Sequence, residues 1–354
     1  MYMSRRTLWA ALLAGIVAAG LIPTGAVAAP VSNTPGLMMT YQVTSATDAM
    51  LTVRFTARNN SSASVDVRSL DLPQAHQSGA ILTVTRDGVP LKYRGKLIKF
   101  TTSDEAAYTT IPAAGSYTVD MRLADDYDFS RPGTYTVALA SAQVRSVNGA
   151  VPVRAGRGVL HTSTGIRRSG HTVSGATTTS RTRVGIAAVT LRFKNCSSTE
   201  QNQLRTAIGN AYNYSARSQS WLAGHTSGGG SYQTWFGKYS SARFNRATTT
   251  FAAITDELTN RTVDLVCDAN SNSMAYVYQD EHYVIHLGRG YWPAAPTGYD
   301  SKAGTLIHES SHFYINGGAD DHVYGLTQGR QLASTNPDLA VDNADNIEHF
   351  AESL

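Results

Sequence analysis

The chain has 354 residues, 42% of them hydrophobic and 16% charged, with 30 glycines and 11 prolines. That length accommodates about two domains, and the composition excludes a fibrous or disordered chain. The net charge of +4 is unevenly spread: from Val189 onward there are 11 Lys and Arg against 16 Asp and Glu, and ahead of it 19 against 10. The basic surplus lies outside the C-terminal half, so the footprint of a nucleic-acid partner is absent from it.

Residues 1–29 read as a secretory signal peptide. Arg5 and Arg6 precede an apolar run from Leu8 to Leu21, and the small residues Ala26-Val27-Ala28-Ala29 offer a cleavage site. The run is shorter than the ~20 apolar residues of a membrane span. Ser4-Arg5-Arg6 leaves general and twin-arginine export both open. A secreted, extracellular protein with no membrane partner is expected. Export permits a disulfide, and Cys196 and Cys267, the two cysteines, are expected to pair. They lack the CxxC spacing of zinc ligands.

Residues 30–153 read as an all-β, sandwich-like domain. Leu51-Thr52-Val53-Arg54-Phe55 alternates as a half-buried strand does. Ile81–Thr85, Asp87-Gly88 and Leu91–Phe100 predict a hairpin, and the segments after Gly115 and Gly133 predict further strands. Residues 154–188 are rich in Ser, Thr, Gly and Arg. No Asp or Glu occurs between Asp128 and Glu200, and Arg154, Arg157, Arg167, Arg168, Arg181 and Arg183 are spread along the stretch. Such a segment reads as a flexible activation linker open to proteases. Residues 189–354 are mixed. Helices are predicted over Ser197–Leu222, Thr249–Leu258 and Ala303–Phe313 and within Asn336–Leu354, with strands at Ala275–Tyr278 and His282–Leu287. Gly224–Ser231 reads as a loop. The fold class is therefore α+β: a mainly helical domain with a small sheet, preceded by an all-β prodomain.

The chemistry concentrates in Gly304-Thr305-Leu306-Ile307-His308-Glu309-Ser310-Ser311-His312-Phe313. On a helix, His308 and His312 stand one turn apart on one face, so both imidazoles can bind one ion, and Glu309 beside them can act as general base toward a water. A hydrolytic zinc site usually takes a third protein ligand and keeps one open position. A third His at H-E-x-x-H-x-x-G-x-x-H spacing would fall on Gly318, and the next Glu is as distant as Glu348. Beyond the helix the chain reads Asn316-Gly317-Gly318-Ala319-Asp320-Asp321-His322-Val323-Tyr324-Gly325, a glycine-rich turn that lets it double back and return a carboxylate to the metal.

HESSH followed by GGADDHVYG resembles the deuterolysin, or aspzincin, metalloendopeptidases. The family pattern Gly-Thr-x-Asp-x-x-Tyr-Gly falls on Gly318–Gly325, with Ala319 in place of Thr. The resemblance implies one zinc on His308, His312 and Asp321, with Tyr324 as the hydroxyl that stabilises the oxyanion. Asn195-Cys196-Ser197-Ser198, Thr234-Trp235-Phe236-Gly237, Asp300-Ser301-Lys302-Ala303-Gly304-Thr305 and Asn343-Ala344-Asp345-Asn346 are similar to the peptidyl-Lys branch, over about 190 to 354. In that branch two acidic side chains bind the lysine after the cut bond; they fall on Asp345 and Glu348, spaced to share one helix face. A second cysteine pair of the branch is missing, with Asp268 and Gly288 near its places, so one disulfide is expected.

The expected activity is a zinc-dependent endopeptidase acting on protein and peptide substrates before lysine, as a monomer. Between Lys99 and Lys194 the chain has no lysine. Strict cleavage before lysine could not open residues 154–188, so an activating protease at the arginines, or tolerance of Arg, is expected. Two other readings stand at this point. One is a member of the family with broad specificity. The other is a secreted binding protein with a structural metal site closed by four ligands, His322 being the fourth.

Overall fold

The computed structural model describes residues 36–47, 50–74, 81–101, 107–141, 143–166, 175–184 and 187–354. The signal-peptide expectation falls outside them. Among them, no helix is long and apolar enough to cross a membrane.

The alternation around Leu51 does form a strand. It belongs to a seven-stranded sheet that contains β1 (Leu37–Thr47), β2 (Met50–Asn59), β3 (Val65–Arg68), β7 (Tyr108–Ile111), β8 (Ser116–Arg122), β10 (Gln143–Ser146) and β11 (Gly149–Ala155). Leu51, Val53, Phe55 and Ala57 of β2 are buried, and the residues between them face outward or lie half-buried. A four-stranded sheet of β4 (Leu82–Arg86), β5 (Val89–Pro90), β9 (Gly133–Leu139) and β12 (Gly158–Thr162) lies against it. Gly158 marks the close approach: a Cβ there would stand 2.9 Å from that of Tyr41. One short helix, α1 (Leu123–Asp126), interrupts the strands, so this half is β-rich rather than all-β.

The C-terminal half combines helices with a six-stranded mixed sheet in the order β13 (Thr177–Val184), β14 (Ala187–Lys194), β15 (Thr262–Cys267), β17 (Val284–Leu287), β16 (Ala275–Tyr278) and β6 (Lys96–Lys99). Its helices are α2 (Ser198–Gly224), α3 (Gly230–Phe236), α4 (Ser241–Asn260), α5 (Lys302–His312), α6 (Leu326–Thr335), α7 (Pro337–Ala340) and α8 (Ala344–Glu352). Ser197 caps α2 through a reciprocal pair with Glu200. Cys196 and Cys267 are joined in a disulfide that ties the entry of α2 to the end of β15.

Three expectations change. The hairpin after Asp87-Gly88 is short: Val89 and Pro90 pair with Arg86 and Thr85, and one more backbone bond, from the Leu91 amide to Val84 O at 2.8 Å, ends it. The chain then leaves the β domain, and Lys96–Lys99 pairs antiparallel with β16 of the other sheet. Residues 154–188 are not one linker either. The segment 158–162 is a strand of the first domain, and Thr177–Val184 pairs with Ala187–Lys194 along its length. Its threonines suit a strand, and its polar character suits the sheet edge that it forms. Arg167 and Arg168 lie outside the described residues. Gly230–Phe236, read in part as loop, is a helix.

Candidate metal centre and acidic pocket

Helix α5 is capped by the Ser301 hydroxyl, which accepts from the Gly304 amide at 2.9 Å. Every residue from Ala303 to His312 is buried. Packing against α8 depends on Gly304, where a Cβ would lie 1.9 Å from Glu352 Oε1 and 2.8 Å from Glu348 Oε1. The carboxylates of the last helix thereby reach the side of α5 that carries His308.

After α5 the chain turns through Gly317 and Gly318, at φ of 128° and 62°, a region costly for side-chain-bearing residues. Asp320 then bridges to Asn343: its amide donates to Asp342 O, and Ala344 N donates back to Asp320 O. The Asn343 Oδ1 accepts from the amides of His322 and Val323 at 2.8 and 3.1 Å. Its Nδ2 donates to Asn346 Oδ1 at 2.7 Å, and Asn346 in turn donates to the Trp235 and Gly329 carbonyls. These asparagines hold the returning loop against the start of α8.

The loop brings Asp321 to the histidines. Asp321 Oδ1 lies 3.2 Å from His308 Nε2 and 3.5 Å from His312 Nε2. The distal nitrogens are fixed from behind. His312 Nδ1 is 2.7 Å from the Ala319 carbonyl, which requires a proton on Nδ1 and leaves Nε2 as the donor atom. His308 Nδ1 is 3.1 Å from Glu348 Oε2 and 3.3 Å from Asp345 Oδ1. Burial, against the nearby Asp321 charge, pulls His312 down to about 4. Burial opposes the charge on His308 too, but the surrounding carboxylates, Asp321 first, hold it well above the usual histidine range. Burial works to protonate Asp321, and the two imidazoles outweigh it.

The donor set fits a cation. His308 Nε2, His312 Nε2, both oxygens of Asp321 and both oxygens of Glu309 are buried, and none completes a hydrogen bond among the described residues. Each such atom costs roughly 1–3 kcal/mol when left unsatisfied. Two imidazole nitrogens and a carboxylate within 4.8 Å of one another are a ligand set suited to zinc. Burial raises Glu309 to about 8, with His308 opposing the shift. His322 does not join this group; its Nε2 faces Asp342 Oδ2 at 2.9 Å. A four-ligand structural site closed by His322 is therefore not formed.

Tyr324 and the acidic residues of α8 meet a segment of the N-terminal domain. The Tyr324 hydroxyl donates to the Ile98 carbonyl at 2.9 Å. Lys99 is fully buried, and its Nζ lies 2.6 Å from Asp345 Oδ1, 2.8 Å from Glu348 Oε2 and 3.0 Å from Asp300 Oδ1. Asp345 is itself oriented by the Gly325 amide, 2.6 Å from its Oδ2. His349 stands 3.2 Å from Asp345 Oδ2 and 3.1 Å from Glu352 Oε2. Burial disfavours its charge, but these carboxylates raise it to about 10.

Asp300, His349 and Glu352 were given no site role in the sequence analysis, although Asp300 opens the quoted motif Asp300–Thr305. The i, i+4 spacing of Asp345 with His349 and of Glu348 with Glu352 was the available signal for the last two. Asp300 had no helical spacing to mark it, since it comes from the loop ahead of α5; its place in that motif was the available signal.

Residues 221–352 match the family model described as lysine-specific metallo-endopeptidase, Aspzincin. An extracellular protease of Aeromonas hydrophila is 31% identical over 355 residues, spanning 99% of each chain. A peptidyl-Lys metalloendopeptidase of Pleurotus ostreatus is 43% identical over 162 residues, 46% of this chain and 96% of that protein. The solved structure of a zinc peptidase from Grifola frondosa is 40% identical, covers 45% of this chain and 97% of its own, and aligns with a TM-score of 0.43. The chain belongs to the aspzincin family and is a metalloendopeptidase.

Proposed function

We propose that the protein is exported and hydrolyses peptide bonds on the N-terminal side of lysine, with one zinc held by His308, His312 and Asp321. The observation that carries this reading is the Lys99 ammonium, enclosed by Asp345, Glu348 and Asp300 beside the metal centre. A pocket that holds three carboxylates around one buried ammonium selects a lysine side chain from a substrate by the same contacts. When bound, zinc supplies Lewis acidity, lowering the pKa of a water and polarising the scissile carbonyl.

The chain's own groups do the rest. Glu309, with neither oxygen hydrogen-bonded among the described residues, takes the water's proton as a carboxylate and delivers it to the leaving amine. Tyr324 donates to the substrate carbonyl oxygen as charge gathers there, as it donates to Ile98 O here. Asp345 and Glu348 fix the lysine that follows the cut bond. His308 is oriented by the same two carboxylates, so the pocket and the metal ligand share a wall.

Digestion of a peptide library by the active enzyme, with Glu309→Gln as control, tests the assignment. Cuts before lysine, abolished in the control, are expected. Cuts distributed without regard to the residue after the bond would replace the lysine-directed reading by broad specificity.

A further inference from the structure

Residues 92–100 do not merely touch the catalytic half; they run through its site. Lys96, Leu97, Ile98 and Lys99 pair antiparallel with Tyr278, Val277, Tyr276 and Ala275. The Met274 amide donates to Lys99 O at 3.0 Å, extending the ladder. Strand β16 would otherwise be an edge of the sheet, the kind of edge to which an extended peptide adds as a further strand. Along this added strand the Ile98 carbonyl meets the Tyr324 hydroxyl, and the next side chain, Lys99, fills the acidic pocket. Either side of this dipeptide is held as well: the Lys92 ammonium lies 3.5 Å from the centre of the Tyr314 ring, and Phe100 packs edge-on against Tyr324 at 5.6 Å.

We propose that Leu97-Ile98-Lys99 of the N-terminal domain occupies the catalytic cleft as a tethered substrate mimic, keeping the intact chain latent, with Ile98–Lys99 in the place of a substrate's scissile bond. This rests on the lysine-directed reading above. Three independent contacts coincide on one dipeptide: a main-chain ladder, a carbonyl on the assigned oxyanion hydroxyl, and an ammonium in the assigned lysine pocket. An interdomain contact serving stability alone has no need of this set. Burying one ammonium among three carboxylates is a costly way to join two surfaces that apolar side chains would join as well.

The tether makes the block effective. The chain before Lys96 is anchored in the four-stranded sheet by β4 and the chain after it by β7 and β8 in the seven-stranded sheet. The mimic is therefore presented at high local concentration and competes with free peptide. Between Lys99 and Lys194 no further lysine is available to the pocket. Within residues 100–193 a lysine-directed enzyme therefore has no bond of its own to cut, and separating the two halves there needs another protease at the arginines ahead of β13, or tolerance of Arg.

The test uses the full chain, shown intact by mass, on a fluorogenic peptide containing one lysine. Wild type is compared with Lys99→Glu, which sets a fourth carboxylate against the pocket, and with Lys99→Met, which keeps the length and removes the charge. Both variants should cleave the peptide faster, Lys99→Glu by on the order of 100-fold or more, since a buried ion pair is lost. In a second arm, each Lys99 variant is combined with Glu309→Gln, and binding of the tripeptide Ala-Lys-Ala is measured by calorimetry; binding should be undetectable with Lys99 present and measurable in both variants. An intact wild-type chain that cleaves before lysine as fast as the variants, or binds the tripeptide equally well, overturns latency and leaves the lysine-directed reading standing. Variants that are unlatched but cut without regard to lysine support latency and overturn that reading instead.

Discussion

Lys99 Nζ lies 2.6 Å from Asp345 Oδ1 across 246 residues of chain, and both side chains are completely buried. Burial works against the ammonium, yet Asp345, Glu348 and Asp300 together hold it well above the ordinary lysine range. Burial likewise favours a protonated Asp345, and the Lys99 charge outweighs it. Each partner stays ionised because the other is present. On the proposed lysine-directed reading, a substrate's lysine would take the place that Lys99 fills here.

Asp345→Asn with Glu348→Gln should separate specificity from hydrolysis. The pair removes two of the charges on the lysine, leaves an amide oxygen at each position for His308 Nδ1, and does not touch Glu309, Tyr324, His312 or Asp321. In the active enzyme, kcat/KM for a bond before lysine should fall by about 100-fold or more, the scale of losing a buried charged partner. Bonds before neutral residues should change far less. An unchanged lysine preference in a library digest would show that the pocket is not the specificity site.

Tyr324→Phe should lower kcat by roughly 100-fold with little change in KM, because a donor aimed at a developing oxyanion acts mainly in the transition state. The ring contributes packing against Phe100 and lies parallel to His308 at 6.4 Å, and Phe preserves both contacts. A drop confined to KM would make Tyr324 a substrate-binding group only.

Zinc should stabilise the protein as well as activate it. The six unsatisfied oxygen and nitrogen atoms of His308, His312, Asp321 and Glu309 are a cost of the metal-free fold that a cation relieves. At 100-fold excess over Kd, binding adds about 2.7 kcal/mol to stability. Chelation should lower Tm and abolish cleavage, and zinc should restore both. Glu309→Gln should retain the Tm response without activity, and Asp321→Ala should lose both. A Tm insensitive to zinc in the wild type would remove the centre from His308, His312 and Asp321.

Much of the site was legible because its logic is local. His308 and His312 face one way by helical spacing, and the Gly317-Gly318 bend returns Asp321 within nine residues. The acidic cluster on α8 was legible for the same reason, Asp345 and Glu348 being three apart on one helix. Its occupant was not, since nothing near Lys99 in the sequence encodes a pairing with Ala275. The supposed linker misled through composition. Thr177–Val184 lacks the apolar alternation of a half-buried strand because it buries no face fully: Thr177, Thr178, Thr179 and Arg181 are exposed at the edge of the sheet. Helix α6 was missed with Gly329 at its centre; a Cβ there would stand 3.1 Å from Asn346 Oδ1, so the glycine serves the packing of α8 at the cost of helical propensity.

The disulfide should matter more to stability than to catalysis. Cys196 and Cys267 close a loop with a sequence separation of 71, containing α2, α3, α4 and β15 but none of His308, His312 and Asp321. Constraint of the unfolded chain by a loop of this length is worth about 4 kcal/mol. Cys196→Ser with Cys267→Ser should lower the denaturation midpoint accordingly, while kcat/KM at low temperature stays within a few-fold. A large loss of activity in protein still fully folded would mean that the tie also positions the β15–β17–β16 strands beside the proposed substrate cleft.

Stability should fall as pH rises through neutrality, with Glu257 as one separable cause. Behind α5, Glu257 accepts from Ser310 Oγ at 3.0 Å and from Asn316 Nδ2 at 2.5 Å. Burial, partly offset by these two hydrogen bonds, raises its carboxyl from 4.5 to about 8. The folded state therefore holds a proton that the unfolded chain releases near 4.5, so the contribution is whole below that pH and is lost as pH climbs through about 8. The loss is on the order of a few kcal/mol. Glu352, raised to about 7 chiefly by burial, and Glu309 at about 8 titrate in the same window with the same sign. The comparison is therefore made between wild type and Glu257→Gln, by denaturant unfolding at about pH 5 and about pH 9. Wild type should lose more stability over that interval than the variant does. Parallel losses would mean that Glu257 is ionised in the folded protein and that Ser310 and Asn316 stabilise its charge rather than its proton.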